Sequence, residues 1–343
     1  MTDEANTGRK PTMTDVAALA GVSVMTVSNV INRPDVVAEA TREKVHTAMR
    51  RLRYRNNLVA RSLRLTQPRQ IGYVLPAQDA NQYMDAFLHD LAAACQAADR
   101  NLTLVTEHDT DALLTACENL YLGRSVAGFI LSNIGRDDPR PAELHRRGIP
   151  FAAYGRSATA YDSDWSWAEG DAAQGIQIAV DHLVDLGHRE LALTGADTAS
   201  ITMTERETGY RDACTRHGLH RSTRADRILH CPGDLESGVR TAARLLDTPT
   251  PPTAIVCVSD LLAAGTLITL QARGLTPGRD IAVTGYDDTP LTSFGTVGIT
   301  SVRQASHRIA TELVRLVIDP PPQPEHHLLP PTLITRTSTD PHA

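Results

Sequence analysis

A chain of 343 residues is long enough for two or three domains, each burying its own core. Its five cysteines are odd in number, widely spaced and without a C-x-x-C pair, so neither a disulfide framework nor a zinc site is indicated and buried, reduced thiols are expected. The net charge of −6 hides a division: residues 1–70 carry net +6 and the remainder net −12, so only the N-terminal end suits a polyanion, against the plainer reading of a solvated basic face.

Residues 1–11 read as a polar tail. The opening MTDEANTGRKPTM lacks the apolar stretch of a signal peptide, and the nearest approach to a membrane span, residues 253–271, is broken by Asp260. A soluble, cytoplasmic protein is the expectation.

Residues 12–55 predict three short helices. Thr14 stands at an N-cap position, with Val16, Ala17, Leu19 and Ala20 following at helical spacing up to Gly21. In the turn GVS, Gly21 can take positive φ, Val22 points inward and Ser23 caps a second helix over residues 24–31. Val27, Val30 and Ile31 share its inner face. A third helix sends Val45, Ala48, Met49 and Leu52 to the same core and leaves Arg42, Lys44, Arg50, Arg51, Arg53 and Arg55 outside. A second helix opening on short polar residues can lie in a major groove, as in a helix-turn-helix.

The run TDVAALAGVSVMTVSNVIN, then TREKV, Tyr54 and YRNNLVARSLRL, resembles the headpiece and hinge of the lactose/galactose repressor family, in register from residue 12 to residue 64. The resemblance implies base-edge contacts from Val24, Met25 and Asn29. It implies backbone contacts from Thr12, Ser23, Thr26, Ser28, Asn32, Thr41, Tyr54 and Asn57. Residues 56–69 become a hinge helix and linker, with Ala60 and the wedge Leu63 in the minor groove and Arg61 and Arg64 at phosphates. Asn29 replaces an arginine common in the family and favours adenine over guanine, while Val24 and Met25 offer only apolar contact. Asn56 replaces a common proline and can cap the hinge helix through its side chain.

From residue 70 onward, apolar strand runs alternate with amphipathic stretches. IGYVL (71–75), LTLVT (102–106), AGFIL (127–131) and IPFAA (149–153) form one series. ELALT (190–194), RILH (227–230), AIVCV (254–258) and DIAVT (280–284) form a second. The pattern predicts two doubly wound parallel α/β lobes, with ligands beyond the strand carboxyl ends. The fold class expected is thus α + α/β.

GIPFAAYGR, DHLVDLGHRELALTG, RETGYRDA, TAIVCVSDLLAAG, DIAVTGYDD and ITSVRQ resemble the same family's effector core, of periplasmic-binding-protein type. It implies crossings near Trp167, near Gly298 and before LLPPTLIT, with Pro320, Pro321 and Pro322 as a stiff connector. Lobe one is then about 70–167 plus 299–325, and lobe two about 168–298 plus 326–343. Asp287 and Arg206 match the family's ligand-binding pair. Ser132, Ser259 and Asp260 end strands, and Tyr83, Tyr154 and Trp167 are the aromatic candidates. For the polar group the plainer readings are a helix cap at Asp260, a surface pair of Arg206 with Glu205 or Glu207, and a chain turn at Ser132. The position near Leu235, where sugar-binding members often carry an aromatic, is aliphatic.

No phosphate loop, G-x-S-x-G, H-E-x-x-H or Rossmann glycine pattern occurs, so no enzyme is expected, and no cofactor or metal is implied. Asp287 and Asp288 are adjacent, and neighbours in an extended segment face opposite ways. The reading is a DNA-binding regulator, a homodimeric repressor on an inverted-repeat operator, controlled by a small molecule, a sugar by resemblance. The alternative is a small-molecule-binding protein without DNA-dependent regulation.

Overall fold

The computed structural model describes residues 11–54, 68–75, 82–107, 109–135, 137–156, 164–195, 201–293 and 298–342, the side chains of Asn32 and Gln82 excepted. Two units divide the chain, residues 1–67 and residues 68–343.

In the first unit, α1 (Met13–Ala20), α2 (Val24–Asn32) and α3 (Glu39–Arg51) enclose Val16, Ala17, Val27, Val30, Val45 and Ala48. Thr12, not Thr14, is the first N-cap. Its hydroxyl oxygen accepts from the Asp15 amide at 3.4 Å, and its own amide donates to Asp15 Oδ2 at 2.7 Å, a reciprocal capping box that Thr14 cannot form. Gly21 ends α1 at φ +66°, and the Ser23 hydroxyl accepts from the Thr26 amide at 3.0 Å to open α2. Leu19 departs from its expected inward place and is exposed, in a shallow groove with Ala20, Lys44, Thr47 and Arg51.

In the second unit the elements run β1 (Gln70–Val74), α4 (Gln82–Ala97), β2 (Asn101–Val105), α5 (Thr110–Leu122), β3 (Phe129–Leu131), α6 (Pro139–Arg146), β4 (Phe151–Tyr154) and β5 (Trp167–Gly170). Then come α7 (Ala172–Asp185), β6 (Leu191–Thr194), α8 (Ile201–Arg216), β7 (Ile228–Leu229), α9 (Leu235–Leu246), β8 (Ala254–Cys257), α10 (Asp260–Ala272) and β9 (Ala282–Tyr286). The last are β10 (Thr300–Arg303), α11 (Ser306–Ile318), β11 (His326–Leu329) and β12 (Thr332–Ile334).

Two six-stranded sheets result, ordered β11-β5-β4-β3-β1-β2 and β12-β10-β9-β8-β6-β7. All pairings are parallel except β10 with β12. Strands β6, β8 and β9 are buried along their whole length, which is why they read as unbroken apolar runs. Each sheet has its order switch between the first strand of the lobe and the third, where α/β folds open a crevice at the carboxyl ends.

The chain crosses between lobes later than expected. β5 pairs with β4 (Ala153 opposite Trp167) and with β11 (His326 opposite Trp167), so residues 167–170 and 326–329 complete the first sheet. β10 pairs with β9 and belongs to the second. The crossings therefore fall after Gly170, after Arg303 and between Leu329 and Thr332. The run LLPPTLIT is two strands in different sheets, because Pro330 and Pro331 supply no amide to a ladder. Cys95, Cys117, Cys214 and Cys257 are buried and Cys231 half-buried; burial pushes the first four thiols up to about 11. Among the described residues no single helix is long and apolar enough to cross a membrane.

Candidate functional site

On the headpiece, α2 presents Val24 and Met25 to solvent, Met25 at 71% exposure, and holds Asn29 half-buried. An exposed methionine on a three-helix unit has no packing duty there, consistent with a contact face. The Ser23 and Thr26 hydroxyls lie 2.8 Å apart, so the cap also orients the first turn. Ser28 and Thr41 are half-buried. Tyr54 packs against the core, and that burial raises its hydroxyl above the ordinary value. Asn57, Ala60, Arg61, Leu63 and Arg64 lie outside the described residues, as does the Asn32 side chain.

In the second unit a cavity of about 320 Å³ lies beyond the carboxyl ends of both sheets. That is at the lower end of the roughly 300–1,000 Å³ usual for small-molecule pockets. Tyr83, Tyr154, Arg206 and Asp287 all line it. The Tyr83 and Tyr154 hydroxyls meet at 2.6 Å, and Phe87 stacks 4.5 Å from the Tyr154 ring, so the pair is held by the lobe-one core. Burial pushes both phenols well above their usual range and keeps them neutral donors.

Arg206 projects from α8, buried, with its guanidinium carbon 3.6 Å from the Tyr286 ring centroid. Its Nη1 donates to the Val258 carbonyl at 2.5 Å, and Nη2 stands 3.5 Å from Asp287 Oδ1. It does not pair with Glu207, which instead holds Arg211 and His230. Asp287 follows β9 at φ +94° and accepts from Gln304 Nε2 at 2.7 Å. Burial raises its carboxyl, the opposing pull of Arg206 being the smaller effect. Asp288 turns away to Arg303 and to Arg336 at 2.7 Å. The two carboxylates do diverge, but through two left-handed residues, not an extended segment.

The other four expected residues are not among those lining the cavity. Ser259 caps α10, accepting from the Leu262 amide at 3.3 Å. Asp260 accepts from the Thr289 amide and hydroxyl at 2.7 and 2.9 Å and from the Ser301 hydroxyl at 2.6 Å, tying three chain segments of lobe two. Ser132 donates to the Val74 carbonyl at 3.3 Å. Trp167 is buried in β5, stacked 5.1 Å from His326.

Several lining residues escaped the sequence reading: Asn133, Arg156, Glu169 and Gln304. Arg156 and Gln304 sit inside the motifs GIPFAAYGR and ITSVRQ, so the strand-end rule applied to each motif's last residue would have found them. Glu169 gave no such signal, being a carboxylate in a buried strand. Arg156 pairs with Glu169 and, across the cleft, with Glu205 of α8. Burial nonetheless raises Glu169 to about 7, more than Arg156 lowers it.

Such a cleft can accept and donate hydrogen bonds to several hydroxyls at once. It carries no nucleophile and base in hydrogen-bond reach among the described lining residues.

Comparison with known proteins gives the same division. Residues 12–57 match the family model "Bacterial regulatory proteins, lacI family", and residues 180–339 match "Periplasmic binding protein-like domain". The HTH-type transcriptional regulator CelR of Thermobifida fusca is 32% identical, over 91% of this chain and 92% of its own length. The ribose operon repressor of Escherichia coli is 30% identical, over 95% and 99%. Among solved structures, the lac repressor dimer bound to operator and the anti-inducer ONPF matches at TM-score 0.77 and 26% identity, over 97% of this chain and 100% of that one. These relatives are named as regulators and repressors. With such similarity across nearly its whole length, the chain belongs to the LacI family of bacterial regulatory proteins and is a DNA-binding transcriptional regulator.

Proposed function

We propose that the protein is a cytoplasmic, homodimeric repressor that binds an inverted-repeat operator and releases it when a sugar or sugar derivative closes the cleft. The observation that carries this reading is the cleft itself: Arg206, Asp287, Gln304 and the Tyr83–Tyr154 hydroxyl pair converge from both lobes in the chain that also bears the helix-turn-helix. A carboxylate, an amide, a guanidinium and two phenols are suited to a polyol, since each hydroxyl both donates and accepts. The solved transcriptional regulator CelR-cellobiose complex, 28% identical to this chain at TM-score 0.70, supports a sugar as the class.

A small headpiece reads few bases, and two related by a dyad read a repeat, which supports the dimer. Val24, Met25 and Asn29 are the base readers in this proposal, and Leu63 the minor-groove wedge. Recovery of bound genomic fragments by the full-length protein, repeated with a panel of sugars, tests it. The expected result is one inverted-repeat motif whose recovery falls with a particular sugar. Operator affinity and salt slope unchanged by every saturating ligand would refute the linkage, which must be reciprocal. Removing residues 1–69 should abolish operator binding and spare effector binding.

A further inference from the structure

The cavity lining holds as many carboxylates as guanidiniums: Glu169 and Asp287 beside Arg156 and Arg206. The side chains of these four are at most 9% exposed, and Glu205 of α8, outside the lining, adds a second carboxylate to Arg156. Counted as ions, the four lining groups sum to zero, and with Glu205 the sum is −1. Neither count leaves positive charge over. Both cations are already engaged inside the protein. Arg156 meets Glu169 and Glu205 and stands 5.2 Å from the Trp167 ring, while Arg206 is divided among the Val258 carbonyl, Asp287 and the Tyr286 face.

An anionic ligand needs the opposite arrangement. Phosphates and carboxylates are held by guanidinium forks free to bind them or by helix N-termini, and desolvating an anion without such a partner is costly. The first turn of α8 does reach the cavity through Ile201, Thr202 and Met203, but Glu205 sets a carboxylate on the same helix end. The other described lining residues, among them Met84, Asn133, Ile134 and Gln304, are uncharged.

We propose that the cleft selects an effector without an anionic group, an uncharged sugar as opposed to a sugar phosphate or sugar acid, and that Glu169 is a specificity-determining residue because it occupies Arg156. This rests on the effector reading above. Arg156 belongs to lobe one and Glu205 to lobe two, so a ligand that drew Arg156 away would also sever a link between the lobes. Rejection of anions and closure of the cleft thus pass through one side chain.

Isothermal titration calorimetry on the full-length protein tests this with matched probes: ribose, glucose, galactose and cellobiose against ribose 5-phosphate, glucose 6-phosphate, galactose 1-phosphate, glucuronate and inorganic phosphate. Binding is expected for an uncharged member only, with its anionic counterpart weaker by about a hundredfold or more. In Glu169→Gln the gap should narrow by about tenfold, because Arg156 loses the Glu169 carboxylate. Glu118→Gln, which removes a surface partner of Arg147, should leave the gap unchanged. A phosphorylated or acidic probe binding as tightly as its uncharged counterpart would overturn the inference and leave the effector reading standing. Binding of no probe in either class would overturn both. If Glu169→Gln does not fold, the wild-type pairs still decide the ligand class, and Glu205→Gln, on the other lobe, decides the role of Arg156 by the same narrowing or its absence.

Discussion

Arg206 lies over the Tyr286 ring, its guanidinium carbon 3.6 Å from the ring centroid, and this contact helps to hold the guanidinium in lobe two. A lysine ammonium is not planar and cannot reproduce both the stack and the Val258 hydrogen bond. Arg206→Lys is therefore expected to cost about 1–2 kcal/mol of core stability by urea denaturation. The concentration of effector that releases the operator should rise by about tenfold or more. A variant with wild-type response would remove Arg206 from the binding set.

Two buried carboxyls make stability depend on pH in a direction unusual for acids. Burial raises Glu169 and Asp260 to about 7. Their unfolded values lie near 4, so between about pH 4 and 7 the folded chain keeps protons that the unfolded chain has lost. Their contribution is complete at the acid end and declines as pH rises through 7. His182 and His188 are shifted down by burial, so their contribution is lost as pH falls, the opposite sense. The difference between wild type and Glu169→Gln separates the two effects. The variant's melting temperature should gain on wild type by a few degrees between pH 5.5 and pH 7.5, about 1.4 kcal/mol per pH unit at most. Equal melting curves at both pH values would mean that Glu169 is ionised throughout.

How much of this was legible depended on whether polarity and position agreed. β6, β8 and β9 are apolar strands buried on both faces, and hydropathy finds them. β5 and β11 are WAEG and HHLL, and hydropathy cannot, because the first carries a buried carboxylate and the second is only half-covered. The crossings implied by the resemblance fell before these two strands, and hydropathy offered no signal to move them. The site followed the same rule. Arg206 and Asp287, expected from motif resemblance, line the cavity, whereas Asp260 and Ser259, at an equally good strand end, turn inward to Thr289, Ser301 and the α10 backbone. Sequence locates a strand end but not which of its polar residues the neighbouring segments claim.

Thr12 offers a test of cap against contact. Its capping box with Asp15 implies that Thr12→Ala destabilises the headpiece by about 1 kcal/mol, while Thr12→Ser keeps the oxygen and most of the stability. Hydrogen exchange of the α1 amides in the full chain reports this without DNA. If Thr12→Ala weakens operator binding but leaves exchange unchanged, Thr12 acts on the phosphate backbone alone.

The recognition helix gives the prediction most specific to this sequence. Met25 is exposed and apolar at the start of α2, and Asn29 stands one turn further along the same helix. Met25→Ala should weaken operator binding by about 1 kcal/mol with an unchanged salt slope, because no phosphate contact is lost. Arg51→Ala, at a basic position of α3, should reduce the slope if that residue meets the backbone. Asn29→Arg exchanges an amide suited to adenine N6 and N7 for a fork suited to guanine O6 and N7, so selection from random duplexes should move one base per half-site from adenine to guanine. An unmoved preference in a folded Asn29→Arg protein would show that the residue does not read a base edge.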